Sequence, residues 1–270
     1  MRKPINSSVP EELIIRMDES VTNSKGGFRD RSHLVEQAIK NFLGDDLSRS
    51  GSDPTKSAAA SPMTNPTSSL YESSLFPRLS LRMKEKQAIA EEASSLVEAF
   101  TTLFLDGSTT CIELAKILAQ QKKGLTIVTN SALVCLELGH NLVNRVIGIG
   151  GEFDARSASF IGASTEEAIK QYYVDYAFMS TKGFIPAEGT FESTMGTLRV
   201  KQIIAEHCGK LNLLIDHSKF WQRSLCKVLD VSQIHTIVTD AQAPQDAIDQ
   251  LHTAGRDVRV APQTNYQEGK

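Results

Sequence analysis

The chain has 270 residues, of which 40% are hydrophobic and 23% charged, and its formal net charge is -3. This size and composition predict a globular, soluble protein with one large domain and a smaller piece. The sequence has no run of about 18 apolar residues, and residues 1–13 contain no apolar stretch of signal-peptide length, so we expect no membrane segment and a cytoplasmic location. The acidic balance excludes nucleic-acid binding through a uniformly basic body.

The four cysteines are scattered singly through apolar patterns, without a CxxC or any other ligand-type spacing. They are Cys111, Cys135, Cys208 and Cys226. This pattern indicates buried thiols in a reducing compartment and argues against a disulfide framework. We expect no metal and no cofactor.

Residues 1–44 begin with a short alternating stretch and continue with two amphipathic helical patterns. Pro10 stands at the start of the first pattern, and Asp30 is an N-cap candidate for the second. The apolar stripes are Leu13, Ile14, Met17 and Val21, then Leu34, Val35, Ala38, Ile39, Phe42 and Leu43. So short a piece cannot bury both stripes within one copy, so we expect an intertwined dimer with paired strands.

The order strand, helix, helix and the segments "VPEEL" and "RSHLVEQAIKNFL" resemble the ribbon-helix-helix family of DNA-binding proteins. The resemblance implies that the two-stranded ribbon enters the DNA major groove, where Asn6 and Ser8 face outward and can read base edges. The candidate DNA-binding residues are Arg2, Lys3, Asn6, Ser8, Arg31 and Ser32. The alternative is that this piece is only a dimerisation arm or a docking hairpin.

Residues 45–78 are rich in Ser, Pro, Asp and Thr and show no sustained helix or strand period, which predicts a flexible linker. The predicted organisation is therefore a ribbon-helix-helix-like domain over 1–44, the linker, and a larger domain over 79–265.

In the larger domain, apolar strand patterns alternate with helical ones. The strand patterns are "TLFLD", "LTIVTN", "NRVIGIGG", "DYAFMS", "KLNLLID", "HTIVTD" and "DVRVA", and the clearest helical patterns are "KEKQAIAEEASSLVEAF", "TTCIELAKILAQ" and "PQDAIDQLHTAG". This alternation predicts an α/β domain with a mainly parallel sheet. Ligands of such sheets bind at the carboxyl ends of the strands, so the polar residues there are candidates for one site.

The turn after the first strand, Asp106 to Thr110, leads into a helix and offers backbone amides and hydroxyls suited to a phosphate monoester. A nucleotide P-loop is not indicated, because the lysine of GxxxxGK[ST] is absent. Asp106 would repel a phosphate that it faced, so we expect it to accept hydrogen bonds from a sugar hydroxyl or from the amides of its own loop.

The segments "LFLDGSTT", "LTIVTNSA", "VIGIGGEFDARSASFIG", "DYAFMSTKGF", "GTFES", "RVKQ" and "LLIDHSKF", in this order, resemble the carboxyl-terminal sensor domain of DeoR-type sugar-operon repressors over residues 80–262. The resemblance implies the fold group of sugar-phosphate isomerases and CoA transferases, and a phosphorylated sugar effector. By motif, the implied effector residues are Asp106, Gly107, Ser108, Thr109, Thr110, Thr129, Asn130, Gly150, Gly151, Lys182, Gly183, Lys201, Asp216 and Lys219. Many relatives carry a Glu shortly before the lysine of "VKQ", where this chain has Thr197.

DeoR-type repressors usually carry a winged helix-turn-helix with an "S-x-x-T-I-R-R-D-L" segment, which this sequence lacks. The combined patterns predict a dimeric or tetrameric regulator of a carbohydrate operon, most simply a repressor, whose partners are an operator DNA duplex, a phosphorylated sugar and further copies of itself. We expect no catalytic residue.

Two alternatives stay open. An isomerase or deaminase of the same fold would need a positioned acid and base, and Glu188, Glu192 and His217 lie near the predicted site in sequence. The D-G-x-D-E and K-G-G-G segments typical of ribose-phosphate isomerases are absent, however. A pure interaction protein of the ribbon-helix-helix type would not need a complete ligand-binding domain.

Overall fold

The computed structural model of the protein describes residues 75–263. The predicted ribbon-helix-helix piece over 1–44, most of the predicted linker, and the candidate DNA contacts Arg2, Lys3, Asn6, Ser8, Arg31 and Ser32 lie outside the described residues.

The centre of the described domain is a seven-stranded sheet in which all neighbouring strands are parallel. Its strands are β1 (Thr102–Leu105), β2 (Thr126–Thr129), β3 (Arg145–Gly148), β6 (Val174–Met179), β9 (Cys208–Leu214), β11 (Thr236–Thr239) and β12 (Asp257–Val260), in the spatial order β12-β11-β9-β6-β1-β2-β3. All seven were predicted from their apolar runs, and the prediction of an α/β domain with a mainly parallel sheet is confirmed. Continuous apolar runs form such strands because helices cover both faces of a parallel sheet.

The helices are α1 (Leu75–Ser80), α2 (Met83–Ser94), α3 (Thr109–Gln120), α4 (Ala132–Leu138), α5 (Ala163–Ile169), α6 (Met195–Glu206) and α7 (Gln245–Thr253). The bounds of α3 agree with the predicted pattern, because Cys111, Leu114, Ala115 and Leu118 form one buried stripe and the Ser108 hydroxyl caps the helix by accepting from the Cys111 amide at 3.3 Å. Helix α2 ends at Ser94, earlier than its predicted stripe, and Val97 packs into the core from the following turn.

Two smaller sheets were not predicted, because their strands are too short for a period to be seen. A hairpin pairs β4 (Glu152–Asp154) with β5 (Ser159–Ile161), and an antiparallel sheet joins β7 (Gly183–Ile185), β8 (Gly189–Glu192) and β10 (Cys226–Lys227) in the order β10-β8-β7. Both insertions follow strands of the main sheet near their carboxyl ends.

Helix α1 overlaps the last residues of the region predicted as a linker, residues 45–78. Leu75 is fully buried, and its amide donates to the Arg156 carbonyl in the β4–β5 hairpin at 2.7 Å. A six-residue helix that contains a proline carries too little pattern to stand out from a Ser- and Pro-rich segment.

The strand order reverses direction at β1. The chain runs from β1 outward through β2 and β3, then returns to the other side of β1 with β6 and continues outward through β9, β11 and β12. A crevice therefore opens at the carboxyl ends of β1 and β6, and this is where ligands of open α/β sheets bind. In the described part of the chain no helix is long and apolar enough to cross a membrane.

Candidate functional site

A cavity of about 250 Å³ lies at this crevice. Ten of the predicted effector residues line it, namely Asp106, Gly107, Ser108, Thr109, Thr110, Asn130, Lys182, Lys201, Asp216 and Lys219. The lining residues that the sequence patterns did not indicate include Arg78, Leu81, Arg82, Lys86, Asp154, Arg156, Ser157, Ser159, Ser193 and Thr194. The strand-end residues Ser180 and Thr181 also line the cavity, as does Glu192, which was named for the enzyme alternative. Thus the structure brings together residues from five strand ends, α1, α2 and the β4–β5 hairpin.

One wall is the turn that opens helix α3. Gly107 and Ser108 precede the helix, and Thr109 and Thr110 form its first residues. The first amides of a helix have no partner within the helix and carry a partial positive charge, so this wall suits an anion. A Cβ on Gly107 would lie 2.1 Å from the Ser159 hydroxyl oxygen, which shows how closely the turn and the β4–β5 hairpin approach.

Asp106 is oriented by its own loop and by the neighbouring strand. Its Oδ1 accepts from the Ser108 amide at 2.9 Å, and its Oδ2 accepts from the Ser180 amide, 74 residues away in sequence, at 3.1 Å. The carboxylate therefore ties the end of β1 to the end of β6 and holds the phosphate-type turn in place.

Lys201 of helix α6 lies in the floor of the cavity. Its ammonium is 3.4 Å from Asp106 Oδ2, forms a close ion pair with Glu192 and donates to the Ser180 carbonyl at 2.5 Å. Burial by itself lowers the pKa of Lys201, but the carboxylates of Glu192 and Asp106 outweigh burial and raise that pKa above its usual value. The Lys201 ammonium thus partly neutralises two buried carboxylates, and it faces these partners rather than the open part of the cavity.

The cavity as a whole is basic. Among the described residues seven basic and four acidic side chains line it, in a protein whose net charge is -3. Each of the four acidic side chains accepts from a donor in the walls. Asp106 and Glu192 both contact Lys201. Asp154 accepts from the Ser157 hydroxyl at 2.8 Å, and Asp216 accepts from the Ser218 amide at 3.0 Å. The lining therefore carries an excess of positive charge, which favours an anionic ligand.

Three lysines of the lining have lowered pKa values. Burial, together with the charges of Arg78 and Lys219, lowers the pKa of Lys182 to about 8. Burial likewise lowers the pKa of Lys86 to about 8, and burial lowers the pKa of Lys219. Buried cations crowded together in this way gain from a nearby anion, because it offsets both desolvation and mutual repulsion.

Four predicted effector residues do not line the cavity. The Thr129 hydroxyl is buried in the protein, where it donates to the Leu105 carbonyl at 2.7 Å and accepts from the Ser131 amide at 3.0 Å. Gly150 and Gly151 lie in the turn after β3, where the Gly150 carbonyl accepts from the Thr165 hydroxyl at 2.9 Å. Gly183 packs against the backbone of Gln222. The predicted contact of these four residues with an effector stays a prediction.

The sequence patterns missed the basic residues of α1 and α2. Arg78 stands in the region read as linker, and Arg82 and Lys86 stand in a helix whose apolar stripe alone was considered. Only the order of basic residues "RLSLRMKEK" before the first strand could have indicated them, and basic runs of this kind usually face solvent.

Other chemical groups of the described domain lie apart from the cavity. No group of three or more His, Cys, Asp or Glu side chains within residues 75–263 could hold a metal ion. His217 Nδ1 lies 3.0 Å from Asp240 Oδ1, but neither residue lines the cavity. Cys111 is fully buried behind the phosphate-type turn, and burial raises the pKa of its thiol.

The fold and the site define an α/β ligand-binding domain with a basic cavity at its switch point. A sequence profile described as the DeoR C terminal sensor domain matches residues 81–241. The chain belongs to the DeoR family, and the resemblance seen in its motifs is confirmed over these residues. The N-terminal residues lie outside the match.

The matched relatives are named as transcriptional regulators. The HTH-type transcriptional regulator GolR of Listeria innocua is 31% identical over 184 residues, covering 68% of this chain and 72% of that protein. The glycerol-3-phosphate regulon repressor of Escherichia coli is 29% identical over 167 residues, covering 62% of this chain and 66% of that protein. The HTH-type transcriptional regulator IolR of Bacillus subtilis is 30% identical over 189 residues, covering 68% and 74%.

Solved structures show a more distant likeness. Ribose 5-phosphate isomerase A from Neisseria gonorrhoeae is 16% identical, with a TM-score of 0.38, over 51% of this chain and 53% of that one. The eIF2B beta subunit from Chaetomium thermophilum is 13% identical, with a TM-score of 0.43, over 57% of this chain and 48% of that one. At these scores the likeness carries no inference about function.

Proposed function

We propose that this protein is a DNA-binding transcriptional repressor of a carbohydrate operon, and that a phosphorylated sugar bound in the cavity controls its affinity for DNA. Membership of the DeoR family supports this role. The relatives include the glycerol-3-phosphate regulon repressor and the putative aga operon transcriptional repressor of Escherichia coli.

The observation that carries the proposal is the pairing of a helix amino end with an excess of basic side chains in one cavity. The amides and hydroxyls of Ser108, Thr109 and Thr110 can surround the phosphate, and Lys182 and Lys219 can supply the charge that a dianion requires. Because Asp106 already accepts from Ser108 and Ser180, its negative charge is engaged and the turn stays compatible with a phosphate.

The rest of the lining is suited to a sugar. Asn130, Ser157, Ser159, Thr181 and Thr197 are hydroxyl or amide side chains that can exchange hydrogen bonds with ligand hydroxyls. The cavity volume of about 250 Å³ is at the small end of ligand sites, so we propose a monosaccharide or polyol monophosphate as the effector class.

Binding without turnover is the proposed outcome. The two buried carboxylates of the floor, Asp106 and Glu192, both contact the Lys201 ammonium, which occupies oxygens that a general base would use to take a proton from a substrate. An isomerase or deaminase remains the second candidate, and it would be revealed by steady conversion of a bound sugar phosphate.

For the N-terminal residues we propose DNA binding by a dimeric ribbon-helix-helix segment with Asn6 as the principal base-reading residue. Asparagine can pair with both the donor and the acceptor of an adenine edge. A dimer or tetramer would present two such ribbons to an operator.

Thermal unfolding with a panel of ligands tests the sensor part. Ribose 5-phosphate, fructose 6-phosphate and glycerol 3-phosphate should include at least one compound that raises the Tm, while the unphosphorylated compounds should not, since binding to the native state alone stabilises it. The double variant Thr109→Ala with Lys219→Ala should lose this response. Lys170→Ala is a matched control, because Lys170 is the exposed C-cap residue of α5 and pairs with Glu167 outside the cavity. A panel without any response, or an equal response from the double variant, rejects the proposed site.

Gel-shift titration of the full chain on the DNA upstream of its own gene tests the DNA part. Asn6→Ala should weaken specific binding by about tenfold, the scale of one lost bidentate base contact. Unchanged binding by this variant would reject the ribbon assignment.

A further inference from the structure

The segment through which the chain enters the described domain forms one wall of the cavity. Arg78 of α1, Leu81 and Arg82 of the connecting turn, and Lys86 of α2 all line it. Arg78 precedes residue 81, where the match to the DeoR sensor domain begins. A ligand in the cavity therefore meets both the family domain and the helix that leads into it.

Helix α1 and the turn that follows it are held by backbone and side-chain interactions, and Leu75 of α1 is fully buried. The Leu75 amide donates to the Arg156 carbonyl at 2.7 Å, and the buried Lys86 ammonium donates to the Arg78 carbonyl and, at 2.5 Å, to the Leu81 carbonyl. A cation placed on the last carbonyls of α1 stabilises that end of the helix. Arg82, in the left-handed conformation at a φ of 52°, has its Nε 3.8 Å from Asp216 Oδ1.

The Arg78 side chain is half-buried and lies in the electrostatic field of the cavity. Burial lowers the pKa of Arg78, and the carboxylates of Glu192 and Asp106 oppose this effect. An arginine guanidinium keeps its charge at neutral pH in proteins. A guanidinium offers a planar fork of donors that matches two phosphate oxygens at once.

We infer that Arg78 binds the anionic group of the ligand, and that an occupied cavity thereby holds helix α1 in place. The inference rests on the proposed function, because it assumes an anionic ligand in this cavity. A six-residue helix is too short to be stable alone, so added contacts to a ligand shift its equilibrium toward the docked state. Since the chain before Leu75 continues directly into α1, occupancy of the cavity would act on the segment that precedes the domain.

Calorimetric titration of the full chain tests the binding half of the inference. The probes are inorganic phosphate and the panel of ribose 5-phosphate, fructose 6-phosphate and glycerol 3-phosphate. Arg78→Ala should weaken binding of the responding probe by about tenfold, the scale of a lost charge-assisted contact, and Arg78→Lys should recover part of the loss because it keeps the charge without the fork. Lys84→Ala is the matched control, since Lys84 is exposed on α2 and does not line the cavity.

Hydrogen exchange of peptides that cover residues 75–82 tests the coupling half. The responding probe should slow exchange of this segment in the wild type and in Lys84→Ala, but not in Arg78→Ala at concentrations that saturate the variant. A circular dichroism melt of each ligand-free variant shows whether that variant is folded. If Arg78→Ala is not folded, Arg78→Lys takes its place in the comparison with the wild type.

The outcomes separate the two proposals. If no probe binds the wild type, the proposed sensor function fails. If a probe binds the wild type and both Arg78 variants equally, the sensor function stands and the role of Arg78 is overturned. If Arg78→Ala weakens binding but the segment is protected equally in both proteins, the coupling through α1 is overturned.

Discussion

The ammonium of Lys201 lies 3.4 Å from the carboxylate of Asp106, with both side chains almost fully buried in the floor of the cavity. This pair explains why an acid can stand directly before a phosphate-type turn. Lys201 balances the negative charge of Asp106, and both Asp106 carboxylate oxygens accept hydrogen bonds from backbone amides at the turn and at the neighbouring strand end. Asp106 is therefore part of the framework of the turn.

Replacing Lys201 should destabilise the domain. Lys201→Met removes the counter-charge of Asp106 and Glu192, and breaking a buried ion pair from one side costs about 3 kcal/mol or more of the free energy of unfolding. Urea unfolding at pH 7 measures this loss. Lys170→Met, which removes an exposed pair with Glu167, should cost less than about 1 kcal/mol. Equal losses of stability from the two substitutions would contradict the role of Lys201 as the counter-charge of Asp106 and Glu192.

Ligand affinity should fall as the pH rises above about 8. Lys182 and Lys86 have pKa values of about 8 in the ligand-free protein, so they lose their protons there, while a phosphate monoester with a second pKa of about 6 keeps its charge. Calorimetry at pH 8.5 in buffers of different ionisation enthalpy should show proton uptake on binding. In Lys182→Met the proton uptake should be smaller. Uptake equal to that of the wild type would show that Lys182 does not take up the proton.

The stability of the ligand-free protein should respond to pH in the opposite sense. The folded-state pKa of these two lysines lies below the ordinary value of 10.5, so the unfolded state binds more protons between about pH 8 and 10.5. Their contribution to the free energy of unfolding therefore rises with pH in this window. Urea titrations of the wild type and Lys182→Met across the window measure the contribution of Lys182 as a difference in slope.

Gly183→Ala should destabilise the protein and weaken ligand binding. An added Cβ would lie 2.3 Å from the Gln222 carbonyl oxygen, and relieving this contact moves the backbone next to Lys182. Overpacking of this kind costs about 1–3 kcal/mol. Gly150→Ala is a matched control, because a Cβ there meets no atom within 4 Å and Gly150 does not line the cavity. Chemical unfolding measures the loss of stability, and the ligand panel measures the loss of binding. If Gly183→Ala is as stable and binds as well as Gly150→Ala, the steric argument is wrong.

Cys111 should resist alkylation in the folded protein. Its thiol is fully buried, and burial raises its pKa, so little thiolate is available to iodoacetamide at neutral pH. Cys226 is only partly buried and should be labelled before Cys111. Mass spectrometry of peptides after labelling with and without urea measures both rates. Early labelling of Cys111 without urea would indicate that the first turn of α3 opens in the native state.

The elements of the sheet could be predicted because each strand is a continuous apolar run and α3 carries its stripe and its cap within twelve residues. The local chemistry of residues 106–110 could be read in the same way. Helix α1 and the two small sheets could not, because six-residue and three-residue elements are stabilised by distant partners such as the Arg156 carbonyl.

The amino-acid sequence by itself determined the α/β class, the seven strands of the main sheet, the phosphate-type turn and the family, because these depend on local period and on motif order. Only the tertiary structure decided which strand ends meet. It places β6 beside β1, which allows Ser180 to reach Asp106, brings Lys201 under two carboxylates, and adds Arg78 to the cavity from a segment that reads as linker. The physical reason is that strand order and helix docking depend on the packing of side chains far apart in the chain, which local patterns do not specify.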